Sequence, residues 1–416
     1  MAGPNLPLLA WRNLWRNRRR TLLTLLSLTF GLFLAVLFTA MQDRSFADMV
    51  DVAARMGGGH VTIQHPEYLD YPSLSRTVSG SDALIQEAEA TPHAYKAVAR
   101  ISGQAMVATA GQNYGALVMG YDPAAEDDQT LSFLEGVPEG QLLQPGDELG
   151  TVLGTRLARN LGVELGDKVV YTMMDRHGEI VGGLARVRGL LATGSPGVDA
   201  ALMLLPIDSL RKTLGYDADE STQIAVFLSD SRKSDPTVEA LIPKVDDSLA
   251  SVHPWYEVNA ELAGFIGMKV GGARFFELVI LVLIAASVFN TLFVSVMERL
   301  REFGIMMAIG YSPGQIFRLV MWESLLLGVL GVLAGMAFTW PLYSYLAENG
   351  IDLSAQMGDQ AMDVAGVGFS PILHVGIFPE NFAVIVVVLL LSTLAAGLYP
   401  AWWAGRVEPV ESIKLV

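Results

Sequence analysis

The stretch TLLTLLSLTFGLFLAVLFTAM, residues Thr21–Met41, contains no charged side chain. Crossing a bilayer takes about 20 apolar residues of helix. Backbone groups find no water in lipid, so the segment has to be helical there. Working outward, Arg12, Arg16, Arg18, Arg19 and Arg20 precede it with no acid among them. The apolar run is longer than the roughly 7–15 residues of a signal-peptide core, and Phe38-Thr39-Ala40-Met41 is a poor cleavage site. A retained helix is expected.

Three further stretches are long and apolar enough to do the same: Leu278–Met297, about Leu319–Ala347 and Asn381–Gly405. Hydrophobic residues make up 51% of the 416-residue chain and charged ones 17%. An ordinary soluble protein carries about a quarter charged residues, so this is a membrane protein. Positive charge orients it. The loop 298–318 holds Arg299, Arg301 and Arg318, whereas 348–380 has acids such as Asp352, Asp359 and Asp363 and no Lys or Arg. The expected layout is a cytoplasmic basic end (1–20), helix one (21–41), a periplasmic block with helical stalks at both ends (42–277) and helix two (278–297). A cytoplasmic coupling segment (298–318), helix three (319–347), a periplasmic loop (348–380), helix four (381–405) and a cytoplasmic tail (406–416) follow. Both termini would face the cytoplasm, with the protein in a bacterial inner membrane.

The net charge of −15 lies in one place. Residues 43–273 contain 32 acidic and 17 basic side chains, and the remainder balances. That acidity argues against a nucleic-acid partner. Within the block, Val61-Thr62-Ile63, Ala105–Ala108, Ala116–Met119 and Ile224–Phe227 read as short strands. Ser81–Ala90 and Thr237–Ala250 read as helices, and Asp175–Gly178 reads as a hairpin turn. The expected fold is thus four transmembrane helices plus a large α+β domain between helices one and two, in two subdomains. Phe46, Met49, Val50 and Ala53 form one apolar stripe, and Leu262, Phe265 and Ile266 another. These stripes suit the lipid surface, the domain, or a two-helix stalk. Gly271-Gly272 reads as a hinge or a helix end.

Catalytic motifs fail on inspection. There is no phosphate-binding G-x-x-x-x-G-K-[ST] loop, so the chain lacks a P-loop ATPase of its own. Gly57-Gly58-Gly59 precedes His60 and reads as a flexible turn. The six histidines are scattered without metal-ligand spacing, and without cysteine no thiolate chemistry is available. Gly310-Tyr311-Ser312-Pro313-Gly314 matches a nucleophile elbow in letters, but no strand precedes it. Ser312, Pro313 and Gln315 instead fit N-cap, N1 and N3 of a helix. Gly328, Gly331 and Gly335 suit close helix packing, in this chain or against another. Glu323, charged in an apolar segment, is expected at the membrane interface.

The segment Met297-Glu298-Arg299-Leu300-Arg301-Glu302-Phe303-Gly304-Ile305-Met306-Met307-Ala308-Ile309-Gly310 carries charges, then an apolar helical run, then Gly310 as the expected C-cap. It reads as a short helix at the cytoplasmic face, offering Phe303, Met306 and Met307 to a partner's groove or resting on the membrane. The segment resembles the signature of FtsX/MacB/LolC-type ABC permeases. Trp11–Thr21 is similar to that family's amino terminus, and Tyr399–Ala404 with Glu408–Ile413 to its carboxyl terminus. Gly120-Tyr121-Asp122-Pro123 and Leu161–Asp167 are similar to the lipoprotein-releasing LolC/LolE branch.

This resemblance implies the permease of an ATP-driven type VII transporter that works by mechanotransmission. Its partners would be a separate ATPase holding ATP and Mg, a second permease chain (identical or different), and a periplasmic chaperone or adaptor. No cofactor or metal would bind this chain. Glu298, Arg299, Arg301, Glu302, Phe303, Gly304, Met306, Met307 and Gly310 would couple to the ATPase. Phe38, Met41, Phe46, Phe275, Phe276 and Val279, where helix one ends and helix two begins, would line a cavity for a lipidated or amphiphilic substrate. MacB-like efflux of peptides or drugs, and FtsX-like control of a periplasmic partner without transport, are the alternatives. The tight Asp175–Gly178 turn is shorter than the LolC-type hook loop.

Overall fold

The structure, a computed structural model, describes residues 5–137, 139–352, 363–364, 367–368 and 372–406. It divides into two units. Along the chain come α1 (Leu6–Arg16), α2 (Arg18–Met56), β1 (Val61–Gln64), α3 (Ser81–Glu89), β2 (Ala94–Ala108) and β3 (Asn113–Tyr121). They are followed by β4 (Glu139–Gly140), β5 (Gly150–Gly154), α4 (Thr155–Leu161), β6 (Lys168–Met174), β7 (Ile180–Leu191) and α5 (Pro196–Ala201). Next are β8 (Leu202–Pro206), α6 (Ile207–Leu214), β9 (Gln223–Leu228), α7 (Ser234–Leu241), β10 (Ser251–Pro254) and α8 (Trp255–Val258). The chain then enters α9 (Ala260–Glu298), α10 (Leu300–Ala308), α11 (Pro313–Asn349) and finally α12 (Pro379–Ala404).

The first unit holds the described residues of 1–45, 267–352 and 372–416. Four helices, α2, α9, α11 and α12, are long and apolar enough to cross a membrane. Each extends beyond the apolar run seen in the sequence or starts before it. Leu28, Leu32, Ile284, Val288, Leu292, Leu327 and Leu389 are buried together where they meet. Glycines set the closest approaches. A Cβ on Gly331 would stand 2.6 Å from Leu28 Cβ, and one on Gly335 2.6 Å from Leu32 Cδ2, while Gly328 faces Thr393. Small residues let helix backbones approach where lipid offers no hydrophobic drive. The stripe therefore packs against α2 and α12 of its own chain. Asp43 adds a polar clamp: it accepts from Phe378 N–H (3.0 Å) and Asn381 Nδ2 (2.8 Å), at the start of α12. A carboxylate there also meets the positive end of the helix dipole.

The second unit holds residues 46–266 and 353–371, of which the loop residues Met357, Asp359, Met362 and Phe369 lie outside the described residues. Its strands make two lobes joined by the long β2. The lower half of β2, from Ala94 to Arg100, pairs with β9, which pairs with β1 and then β10. The helices α3 and α7 contribute Ala88 and Leu241 to the core on that side. The upper half, from Ile101 to Ala108, opens a ring of pairings through β3, β8, β5, β7 and β6 that closes back on β2. Along β7, Ala185, Val187 and Leu191 are buried at alternate positions, the period a strand with one inward face requires. The turn between β6 and β7 is tight, with Asp175 accepting from His177 N–H and Glu179 N–H, both at 2.8 Å, and Gly178 at φ 84°.

Three local expectations change. The helix read over Thr237–Ala250 ends at Leu241, and a 3-10 turn Ile242–Lys244 follows; Pro243 has no N–H to extend α7. Gly271 and Gly272 neither end nor break α9. Added Cβ atoms there would meet nothing, so helix hydrogen bonds outweigh a cost of about 1 kcal/mol per glycine. Gly57–Gly59 is a packed corner: Gly59 has φ 80° and lies against Val226 backbone, and Gly57 O accepts from the buried Arg100, which also bonds Glu126 and Thr130 O.

Candidate functional site

One group of polar residues in the first unit converges around α10. The run Leu300–Ala308 forms a helix because it has no Pro, one Gly and an apolar face. It stops at Gly310, φ 108°, where Gly310 N–H bonds Met307 O and Tyr311 N–H bonds Met306 O. This paired closure needs a left-handed residue, which glycine adopts without strain. Two residues later α11 opens at Ser312, whose N–H donates to Gln315 Oε1 at 2.8 Å.

Arg299, in the break between α9 and α10, is 7% exposed and turns inward. Its Nη1 donates to both oxygens of Glu323 on α11, at 2.8 and 3.1 Å. Asn13 Nδ2 on α1 donates to the same carboxylate at 2.8 Å. Arg299 also reaches Glu302 at 3.3 Å and lies 5.0 Å above the Phe303 ring. Glu302 in turn pairs with Arg16 of α1 at 2.8 Å, and Glu298 with Arg20 of α2 at 2.5 Å. Burial pushes the Glu302 carboxyl up, but the Arg16 hydrogen bond and the charges of Arg16 and Arg299 outweigh it, leaving it below the usual range. A buried carboxylate is tolerable only when its lone pairs are filled. Glu323, 3% exposed, has three donated bonds. Glu323 is buried within the protein and ties α1, α11 and the break before α10 together.

The coupling residues fall into two sets. Phe303 is fully buried among Ala10, Val296, Ile316 and Val320, and Gly304 is buried beside it. Met306 and Met307 are half-buried against the same cluster. Phe303 is therefore unavailable to a partner's groove, because its own chain fills that role. The outward face is Arg301, Ile305, Ala308, Ile309 and Gly310, with Ile309 72% exposed. The charges ahead of the apolar run hid this, since helical spacing alone does not say which apolar stripe faces inward.

At the other end of the first unit, Phe38 and Phe276 meet edge to face at 6.4 Å, and Phe275 meets Phe276 edge to face at 6.1 Å. Phe275, Phe276 and Val279 are exposed, while Met41 is half-buried. Phe46 belongs to the second unit, packed with Met49, Ala53 and Leu262, so the two apolar stripes of α2 and α9 face each other as a helix pair. The sequence does not announce Asn13, Arg16 and Arg20 as partners; the one signal was the four-residue spacing of Arg16 and Arg20, matched by that of Glu298 and Glu302.

Comparison with known proteins agrees with this architecture. Residues 21–244 match the MacB-like periplasmic core domain, and residues 274–409 match the FtsX-like permease C-terminal domain. The chain belongs to this family and is an ABC transporter permease of the type VII class. It is 25% identical over 332 residues to the lipoprotein-releasing system transmembrane protein LolC of Neisseria meningitidis, covering 76% of each chain. It is also 25% identical to the pyoverdine export ATP-binding/permease protein PvdT of Pseudomonas aeruginosa, over 97% of this chain and 58% of that one. Among solved structures, the extracellular domain of the noncanonic ABC-type transporter YknZ aligns at TM-score 0.33 and 14% identity, over 46% of this chain and 98% of that one.

Proposed function

We propose that this chain is the permease of an ATP-driven mechanotransmission transporter that extracts lipoproteins, or another lipidated amphiphile, from the outer leaflet of the bacterial inner membrane. The observation that carries the reading is the α10 arrangement: an outward face of Arg301, Ile305 and Ile309 anchored inside by Arg299–Glu323. A separate ATPase, holding ATP and Mg, docks on that face. Its closure moves α10, and the buried ion pair obliges α1 and α11 to follow. In this reading both termini and α10 lie in the cytoplasm, and the α+β unit stands in the periplasm between helices one and two. A second permease chain completes the assembly, with a periplasmic chaperone or adaptor receiving the substrate. The exposed Phe275, Phe276 and Val279 supply an apolar wall for acyl chains. Similarity to LolC across most of both chains supports the lipoprotein class.

The pyoverdine exporter, similar along nearly all of this chain, favours efflux from the periplasm as the second reading. A photo-crosslinking residue at Phe276 separates the two. Capture of a co-expressed lipoprotein, reduced by ATP, is expected. Crosslinks confined to the partner permease, whatever the ATP and lipoprotein present, would overturn substrate extraction in favour of a non-transporting mechanotransducer.

A further inference from the structure

We propose that a cleft between α2, α9 and α12 binds one zwitterionic glycerophospholipid bearing a phosphate and a primary ammonium. The cleft has a volume of about 210 Å³ and is walled by Ala35, Leu281, Ile284, Val384 and Val388. Two opposite charges, Arg274 and Glu277, line one end of it. They lie one turn apart on α9, which places their Cβ atoms about 5–6 Å from each other. The Thr39 hydroxyl donates to Glu277 Oε1 at 2.8 Å and fixes that carboxylate. Arg274 has no ion pair among the described residues.

Ionisable groups beside an apolar wall are costly unless compensated. Arginine relieves this alone by reaching for water, but the tethered Glu277 cannot follow it. A ligand with an anion for Arg274 and a cation one helical turn away for Glu277 satisfies both. An anionic headgroup would serve Arg274 and set its charge against Glu277, which selects the zwitterion. Depth matches as well: from Arg274 to Ile284 the helix rises about 15 Å, half of a hydrocarbon core of about 30 Å. The headgroup thus sits at the charged end and one acyl chain reaches the middle of the bilayer. The volume is below the roughly 300 Å³ of a drug-sized pocket, which suits a single chain. Phe276 and Val279 do not line this cleft, so the site is separate from the proposed substrate wall.

The test uses the full chain with its partner subunits in nanodiscs, without ATP or lipoprotein, so its outcome is independent of the transport reading. Phosphatidylethanolamine and phosphatidylglycerol carrying the same photoactivatable acyl chain are compared, and labelled peptides are mapped. Residues 278–284 and 384–389 are expected to label about tenfold more with the ethanolamine lipid, the lower end of what one charge-assisted hydrogen bond supplies. Glu277→Gln should bring the two lipids close to equal, and Val388→Trp should block both by filling the cleft. Equal labelling by the two lipids in the unaltered protein, or unchanged labelling in Val388→Trp, would overturn the site and leave ordinary bulk lipid in its place.

Discussion

Arg299 Nη1 is shared between the two carboxylate oxygens of Glu323, at 2.8 and 3.1 Å, in the interior of the helical unit, each residue less than a tenth exposed. Breaking such a pair leaves an uncompensated buried charge, at about 3–5 kcal/mol. Arg299→Ala and Glu323→Ala should each lower the melting temperature of the purified permease. The double replacement Arg299→Met with Glu323→Met should recover much of the loss, since no lone charge remains. If the double variant is as unstable as the sum of the singles, the pair is not the source of the effect.

The two faces of α10 should separate folding from assembly. Phe303→Ala empties a buried position and should cost about 3–5 kcal/mol of stability. Ile309→Asp changes a residue 72% exposed, where substitutions usually stay within about 0.5 kcal/mol. We expect the second variant to insert and melt normally while losing its ATPase partner on co-purification. Retained ATPase in Ile309→Asp would move the docking face elsewhere.

Glycine packing is checked by size. Gly331→Val drives a side chain into Leu28 and should destabilise the permease by about 1–3 kcal/mol. Pairing it with Leu28→Ala should relieve part of the strain, as a melting series with the double variant would show.

Acid should loosen the outer part of the polar network first. Glu302 titrates below its ordinary value because of Arg16 and Arg299. Its contribution is present in full above about pH 4.3, the unfolded-state value, and is lost as pH falls through the lower folded value. The group is partly exposed and the contribution small, at most about 1 kcal/mol. Arg16→Ala should flatten the dependence of melting temperature on pH between about 5 and 3.

Orientation is testable because the chain has no cysteine. A cysteine at the exposed Asp247 should react with an impermeant maleimide once the outer membrane is opened. One at the exposed Ser312 should react only after the inner membrane is breached. Labelling of Ser312 from outside would reverse the proposed orientation.

Much was legible in the amino-acid order. Long uncharged runs such as Thr21–Met41 have few alternatives to helix once lipid removes water from the backbone. Strands such as Ile224–Phe227, the Asp175–Gly178 turn and the Gly310 and Ser312 boundaries rest on local geometry, which neighbouring residues dictate. What the tertiary structure alone decided is pairing over long distances. Gly331 and Gly335 announced close packing, yet only the fold assigns it to Leu28 and Leu32. Phe303 and Ile309 look equally available in a helical pattern, and burial separates them. Asn13 meets Glu323 across 310 residues, and no local pattern encodes which donor fills a buried carboxylate. Propensity, capping and hydrophobicity act within a few residues along the chain, whereas burial and charge pairing depend on which surfaces the packed helices bring together.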